Sequence, residues 1–230
     1  MKIGGLQKQS LQDYPEKISA VIFTQGCNFR CGYCHNPELV LPEKMQASMP
    51  EKEILRYLES RKDWLQGVVI TGGEPTVQRG LKAFIQQVKK LGYAVKLDTN
   101  GTNPSVVREL INQELIDYVA MDLKAPLQLD AQRKVAGKHI SQEMVARMQE
   151  TKELLQTSKV EHEFRTTAIS GVHTQEELLQ IGRSTKKSPY YLQRFRPQKT
   201  LDPSWKQYTH VPESNLQALR EELSNAYIRE

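Results

Sequence analysis

The chain has too few cysteines to close a ligand set, no long apolar run, and no strong excess of either charge. It holds three cysteines in 230 residues, and a formal net charge of +5 from 32 basic and 27 acidic residues. No run approaches the roughly 20 apolar residues of a membrane-spanning helix. The opening residues, Met1-Lys2-Ile3-Gly4-Gly5-Leu6-Gln7-Lys8, lack the apolar core of a secretory leader. Together these absences predict a cytoplasmic chain with no membrane partner, in a compartment where thiols stay reduced. Acids and bases interleave, as in Glu51-Lys52-Glu53 and Arg220-Glu221-Glu222, which is the pattern of solvated helix faces. An anionic ligand is permitted, but nucleic acid is not expected as a partner. No repeat, low-complexity tract or linker divides the sequence, so one domain over residues 1–230 is expected.

What is present is concentrated. All three cysteines lie in Cys27-Asn28-Phe29-Arg30-Cys31-Gly32-Tyr33-Cys34, a C-x3-C-x2-C pattern. An odd number leaves one thiol over from any disulfide, and such close loop positions bridge poorly. Three soft thiolates can hold three corners of a cubic iron–sulfur cluster and leave the fourth iron open to a small molecule. A zinc site of Cys27, Cys31, Cys34 and His35 is the alternative that the residue types also allow.

Around this loop, β-branched apolar runs alternate with amphipathic stretches. Strands are expected at Ile18–Thr24, Val68–Ile70, Ala94–Leu97, Ile116–Met121, Val160–Thr167 and Tyr190–Phe195. Ser48-Met49-Pro50-Glu51 predicts a capped helix running to Lys62, and a helix from Arg79 to Lys90 follows, with Gly92 as its stop. Asn103-Pro104 predicts a helix through Asn112, and Ser141 one to Gln156. Thr174-Gln175-Glu176-Glu177 is a capping box for a helix near Lys186, and a last helix follows Pro212 toward Tyr227. Six strand–helix units in series require parallel strands with right-handed crossovers. They predict an α/β fold: a partial (β/α)6 barrel with outer helices, its site at the carboxyl ends of the strands.

The cysteine loop follows the first of these strands. Thr71-Gly72-Gly73-Glu74-Pro75 follows the second, Asp98-Thr99-Asn100-Gly101 the third and Asp122-Leu123-Lys124 the fourth. Arg165 on the fifth strand and Gln193 on the sixth offer further hydrogen bonds. Glycine pairs let a ligand approach the backbone, and a carboxylate and an ammonium two apart on a strand share a face. A ligand that meets iron at one end and several strand tips at the other fits this set.

With these residues in view, the chain resembles the radical S-adenosylmethionine (SAM) superfamily. The shared features are the cysteine motif after the first strand, Gly72-Gly73-Glu74 after the second, and the partial barrel. Gln25-Gly26-Cys27, Cys34-His35-Asn36-Pro37, Asp98-Thr99-Asn100-Gly101 and Asp122-Leu123-Lys124 resemble activating enzymes of glycyl-radical proteins. The opening Gly5-Leu6-Gln7-Lys8, with Asp13-Tyr14-Pro15 and Ile22-Phe23-Thr24-Gln25-Gly26, most resembles the activating proteins of anaerobic ribonucleoside-triphosphate reductase.

The resemblance implies one [4Fe-4S] cluster on Cys27, Cys31 and Cys34, with SAM chelating the open iron. It places Tyr33 near the adenine, Gly72, Gly73 and Glu74 at the methionine ammonium, and Asp98, Asp122 and Lys124 near the carboxylate. Asn100, Arg165 and Gln193 join as further cofactor contacts, and Asp98 with Asp122 suggests a monovalent cation. The implied reaction is reductive cleavage of SAM, with flavodoxin or ferredoxin as electron donor, followed by hydrogen abstraction from a glycine of a partner enzyme. No catalytic residue is needed beyond cluster and SAM. With three cysteines no second cysteine-bound cluster is available. A radical SAM enzyme acting on a small molecule such as a deazapurine precursor is the alternative function, and a zinc-binding non-enzymatic module is the second alternative.

Overall fold

The computed structural model describes residues 1–229. Strands and helices alternate as β1 (Ile3–Ser10), β2 (Ser19–Thr24), α1 (Pro37–Val40), α2 (Glu51–Glu59), β3 (Gly67–Gly72), α3 (Leu81–Lys90), β4 (Ala94–Thr99) and α4 (Pro104–Asn112). There follow β5 (Tyr118–Asp122), α5 (Leu129–Ala136), α6 (Gln142–Thr157), β6 (Glu161–Ser170), α7 (Gln175–Ser184), β7 (Tyr190–Arg194), β8 (Thr209–His210), α8 (Glu213–Glu222) and β9 (Ala226–Arg229). The six strands expected from the pattern are β2 to β7. The fold is α/β with mostly parallel strands.

Two compact units emerge: Met1–Asn28 with Pro37–Thr99 and Asn103–Val119, and Phe29–Asn36 with Asn100–Thr102 and the chain from Ala120 onward. In the first unit β2, β3 and β4 run parallel in step, with Ser19 beside Gly67 and Gly67 beside Ala94, while β1 lies antiparallel on β2. Val21, Ile22, Val69, Ile70, Val95 and Leu97 are fully buried. Helix-covered parallel strands bury both faces, so their sequences read as unbroken apolar runs. α3 adds Leu81, Phe84, Ile85 and Val88, a buried stripe at spacings of three, one and three. Burial of each such side chain stabilises by roughly 1.5–3 kcal/mol.

In the second unit β6, β7 and β9 run parallel, and the chain leaving β5 joins β6 through Leu123 N–H donating to Arg165 O at 2.8 Å. Ser141 caps α6 by accepting from Met144 N–H. Thr174 and Glu177 form the expected capping box of α7, at 3.1 and 2.7 Å.

Local reading fails where another element takes the capping group. Ser48 does not cap α2; its hydroxyl accepts from Ile3 N–H at 2.8 Å and serves β1 instead. Asn103 occupies the N-cap position of α4, but its amide donates to Thr76 Oγ1 at 2.9 Å. The last helix ends at Glu222, and Tyr227 lies in β9, because Ala226–Arg229 finds a parallel partner in β7. β1 and α5 were not expected. Gly4-Gly5 near its start and four polar residues, Gln7 to Ser10, conceal β1, and α5 is only eight residues long.

Candidate functional site

In the first unit the tip of β2 and the turn after β3 are bonded into one piece. Gly26 N–H donates to Leu39 O at 2.7 Å, Gly73 N–H to Thr24 O at 2.8 Å, and Glu74 N–H to Gly26 O at 2.8 Å. Glycine is required here: Gly72 has φ +108°, and a Cβ on Gly73 would lie 2.1 Å from Gly26 O. Glu74 is buried, and its carboxylate accepts from Thr76 N–H, Thr76 Oγ1 and Thr99 Oγ1 at 3.1, 2.5 and 2.7 Å. It thereby ties the turn after β3 to the end of β4. At that end Asp98 pairs with Lys96 Nζ at 2.6 Å. Lys96 is buried, and its ammonium stands over the Tyr118 ring at 5.9 Å from the centroid.

In the second unit Asp122 accepts from Arg165 Nε at 2.8 Å and from Lys124 Nζ at 3.2 Å. Burial alone would raise its carboxyl, but the two cations outweigh that and hold it down at about 2. Lys124 also stands over the Tyr33 ring at 5.8 Å. Asn100 is buried and accepts from Thr102 N–H and Oγ1 at 3.1 and 2.7 Å, which shapes the turn after β4. Gln193 is half-buried on β7, between Thr167 of β6 and Arg229 of β9.

The cysteine stretch starts in the first unit with Cys27 and continues in the second with Cys31 and Cys34. None of the three is in a disulfide. Cys34 N–H donates to Cys31 O at 3.0 Å, a tight turn that groups these two residues. Burial pushes the Cys31 thiol up to about 12, with Lys124 opposing. A metal bound there would act against that shift, because it favours the thiolate. Among the described residues no three His, Cys, Asp or Glu converge as the ligands of a single ion. A cubane asks for less convergence, because each thiolate binds its own iron.

Aromatic packing from the C-terminal half holds this loop. Trp205 lies 5.9 Å and Phe195 6.4 Å from Tyr33, ring to ring, and His35 stacks on Phe195. The Trp205 ring fills the space that a Cβ on Gly32 would need, so only glycine fits there. Asp202 N–H donates to Gly32 O at 3.0 Å, and His35 Nε2 donates to Arg196 O at 2.9 Å.

Several residues around Asp122 and Lys124 escaped sequence reasoning. His173 is buried, accepts from Ile169 N–H at Nδ1 and donates from Nε2 to Lys124 O at 2.9 Å, so it holds the backbone that carries Lys124. Burial lowers its pKa, consistent with that neutral tautomer. Glu163 is fully buried and takes both guanidinium nitrogens of Arg229 at 2.8 and 3.0 Å, with Arg165 4.0 Å away. The charges thus alternate from Asp122 through Arg165 and Glu163 to Arg229. A period-two reading of β6 puts Glu163 and Arg165 on one face, but nothing local names Arg229 as their partner.

A family model for the radical SAM superfamily matches residues 21–179. A protein of Methanocaldococcus jannaschii, named as a candidate glycyl-radical enzyme activating enzyme, is 35% identical over 220 residues, covering 94% of this chain and 89% of its own. A 7-carboxy-7-deazaguanine synthase of Methanopyrus kandleri is 35% identical over 129 residues, 46% of this chain and 49% of that one. Among solved structures, SuiB of Streptococcus suis bound to S-adenosylmethionine aligns with a TM-score of 0.69 at 16% identity, over 91% of this chain and 50% of SuiB. The similarity therefore spans about half the length of the last two.

Proposed function

The chain belongs to the radical SAM superfamily and has its α/β partial-barrel fold, and from that premise we propose that it activates a glycyl-radical enzyme, namely an anaerobic ribonucleoside-triphosphate reductase. The observation that carries this reading is the similarity to the M. jannaschii protein, which runs through nearly the whole of both chains. The family implies a [4Fe-4S] cluster and SAM, which when bound supply reductive cleavage of the sulfonium.

The residues present fit that pair. Cys27, Cys31 and Cys34 are soft donors outside any disulfide, and Lys124 offsets negative charge on Cys31. Three thiolates hold three irons. Lys124, held beside Asp122 and Arg165, would meet the carboxylate of SAM. Asp98, Asn100 and Gln193 orient the remaining polar groups. Gly72 and Gly73 allow close approach beside Glu74, whose three hydrogen bonds keep the turn rigid. Tyr33 packs against the adenine, and Phe195 and Trp205 behind it exclude water from the loop. A monovalent cation beside Asp122 completes the cofactor set. The electron donor is flavodoxin or ferredoxin, the compartment is the cytoplasm, and residues 1–230 act as one domain. Among the described residues no helix is long and apolar enough to cross a membrane.

A second reading, a radical SAM enzyme acting on a deazapurine precursor, draws on the deazaguanine synthase similarity, which covers less than half of this chain. One experiment separates them. The anaerobically reconstituted protein is reduced with SAM and a candidate reductase, and electron paramagnetic resonance should report a glycyl radical. Formation of 5′-deoxyadenosine without that signal, but with turnover of a deazapurine precursor, would transfer the assignment to the second reading. Cys31→Ala should abolish the visible iron–sulfur absorbance; full retention would reject the cluster itself.

A further inference from the structure

The charges that cross the sheet of the second unit include a carboxylate with none of its side chain exposed, Glu163 near the start of β6. Arg229, on the edge strand β9, meets it as a fork: Nη1 donates to one oxygen at 2.8 Å and Nη2 to the other at 3.0 Å. The face of the Tyr191 ring lies 3.6 Å from the guanidinium, and strand pairing sets Arg229 beside Gln193 of β7. Stacking and pairing together fix the fork in one geometry. Replacing a buried ion pair by apolar side chains of similar size is often neutral or stabilising. Folding alone therefore gives no reason to keep a charge at Glu163.

The pair bears on the next residue along the same face. Arg165 follows Glu163 by two positions on β6, and the two side chains share a side of the strand. Arg165 Nε donates to Asp122 Oδ1 at 2.8 Å, whereas its Nη1 stands 4.0 Å from Glu163 Oε1. The first distance is a charge-assisted hydrogen bond and the second is not. Arg165 thus lies between two carboxylates and bonds to Asp122. Arg229 biases that choice, because its two donors offset the pull of Glu163 on Arg165. Without Arg229, a desolvated carboxylate would gain by closing the gap to Arg165. Asp122 would then be left with Lys124, 3.2 Å away, and would draw that ammonium onto itself.

We propose that Arg229 is a positioning residue for SAM: by occupying Glu163 it commits Arg165 to Asp122, and so lets Lys124 turn to the carboxylate of SAM. The inference rests on the assignment of Lys124 to SAM made above. It gives the last strand of the fold a part in cofactor binding without placing any of its atoms on the cofactor.

The test is equilibrium dialysis of SAM with the full-length, cluster-loaded protein, held anaerobic. Arg229→Met should raise the dissociation constant of SAM about fivefold, and adding Glu163→Gln should return it to within about twofold of the wild type. Nitrogen-15 NMR reads the cause. The Arg165 Nε–H resonance, shifted downfield by its bond to Asp122, should move upfield in Arg229→Met and return in the double variant. A purely structural role would lower the melting temperature and leave that resonance in place. Unchanged SAM affinity or an unmoved Arg165 resonance in Arg229→Met, or a double variant as weak as the single, would overturn the proposal. Should Arg229→Met fail to fold, Arg229→Gln, which keeps a donor for Glu163 without the charge, replaces it with the same expected results. Lys124→Met separates the two claims. Weak SAM binding there with normal binding in Arg229→Met rejects the role of Arg229 alone; normal binding in both rejects the Lys124 assignment as well.

Discussion

Two lysine–aspartate pairs, one in each unit, have the same sequence spacing and different electrostatics. Lys96 and Asp98 at the end of β4 lie 2.6 Å apart, with the lysine buried against Tyr118. Asp122 and Lys124 after β5 are 3.2 Å apart and share their carboxylate with Arg165. In the first pair the lysine side chain is almost wholly buried, 2% exposed; in the second the lysine is 15% exposed and stands over the Tyr33 ring, near Cys31. Residue type and spacing are equal, so burial decides which lysine serves the structure and which can reach a ligand.

The comparison breaks most visibly at Lys96. Lys96→Met breaks the buried ion pair with Asp98 and should cost about 3–5 kcal/mol, a fall of roughly 10 °C in melting temperature. Calorimetry that found less than about 1 kcal/mol would contradict the structural role of the pair. The equivalent change in the other unit should act on binding. In Lys124→Met, Arg165 still holds Asp122, so stability should move by less than about 1 kcal/mol. SAM affinity should fall about tenfold, or about 1.4 kcal/mol, as read by equilibrium binding; an unchanged affinity would remove Lys124 from the site.

The smallest effect is in acid. The folded Asp122 carboxyl, at about 2, lies below its unfolded value of about 3.9. Its stabilising contribution is therefore complete above about pH 4 and is lost as the pH falls toward about 2. Lys124→Met removes one of the two cations, so the folded value should rise and the window narrow from its acid side. Acid titration of stability in both proteins measures this, and identical curves would mean that Arg165 alone sets the carboxyl.

Much of the fold was legible because its signals are local. The apolar runs of β2 to β7, the capping box of α7 and the N-cap of α6 each lie within a few residues of the element they define. The errors arose where a polar group had a distant claimant. Ser48 serves Ile3, and Asn103 serves Thr76. Tyr227 joins a strand because β7 has an open edge for it. The site shows the same division. Cysteine spacing and the Asp122–Lys124 pair were readable, whereas His173 behind Lys124 and Arg229 behind Glu163 required neighbours 49 and 66 residues away.

From the sequence alone follow the single three-thiol stretch, the alternation of parallel strands and helices, and the polar residues after successive strands, because each depends on chain-local spacing. The tertiary structure decided what those polar groups are free to do. It set Lys96 against Asp98, added Arg165 to Asp122 and packed Trp205 onto Gly32. Charge balance and desolvation are set by neighbours in space, and strand pairing brings those neighbours together from far along the chain.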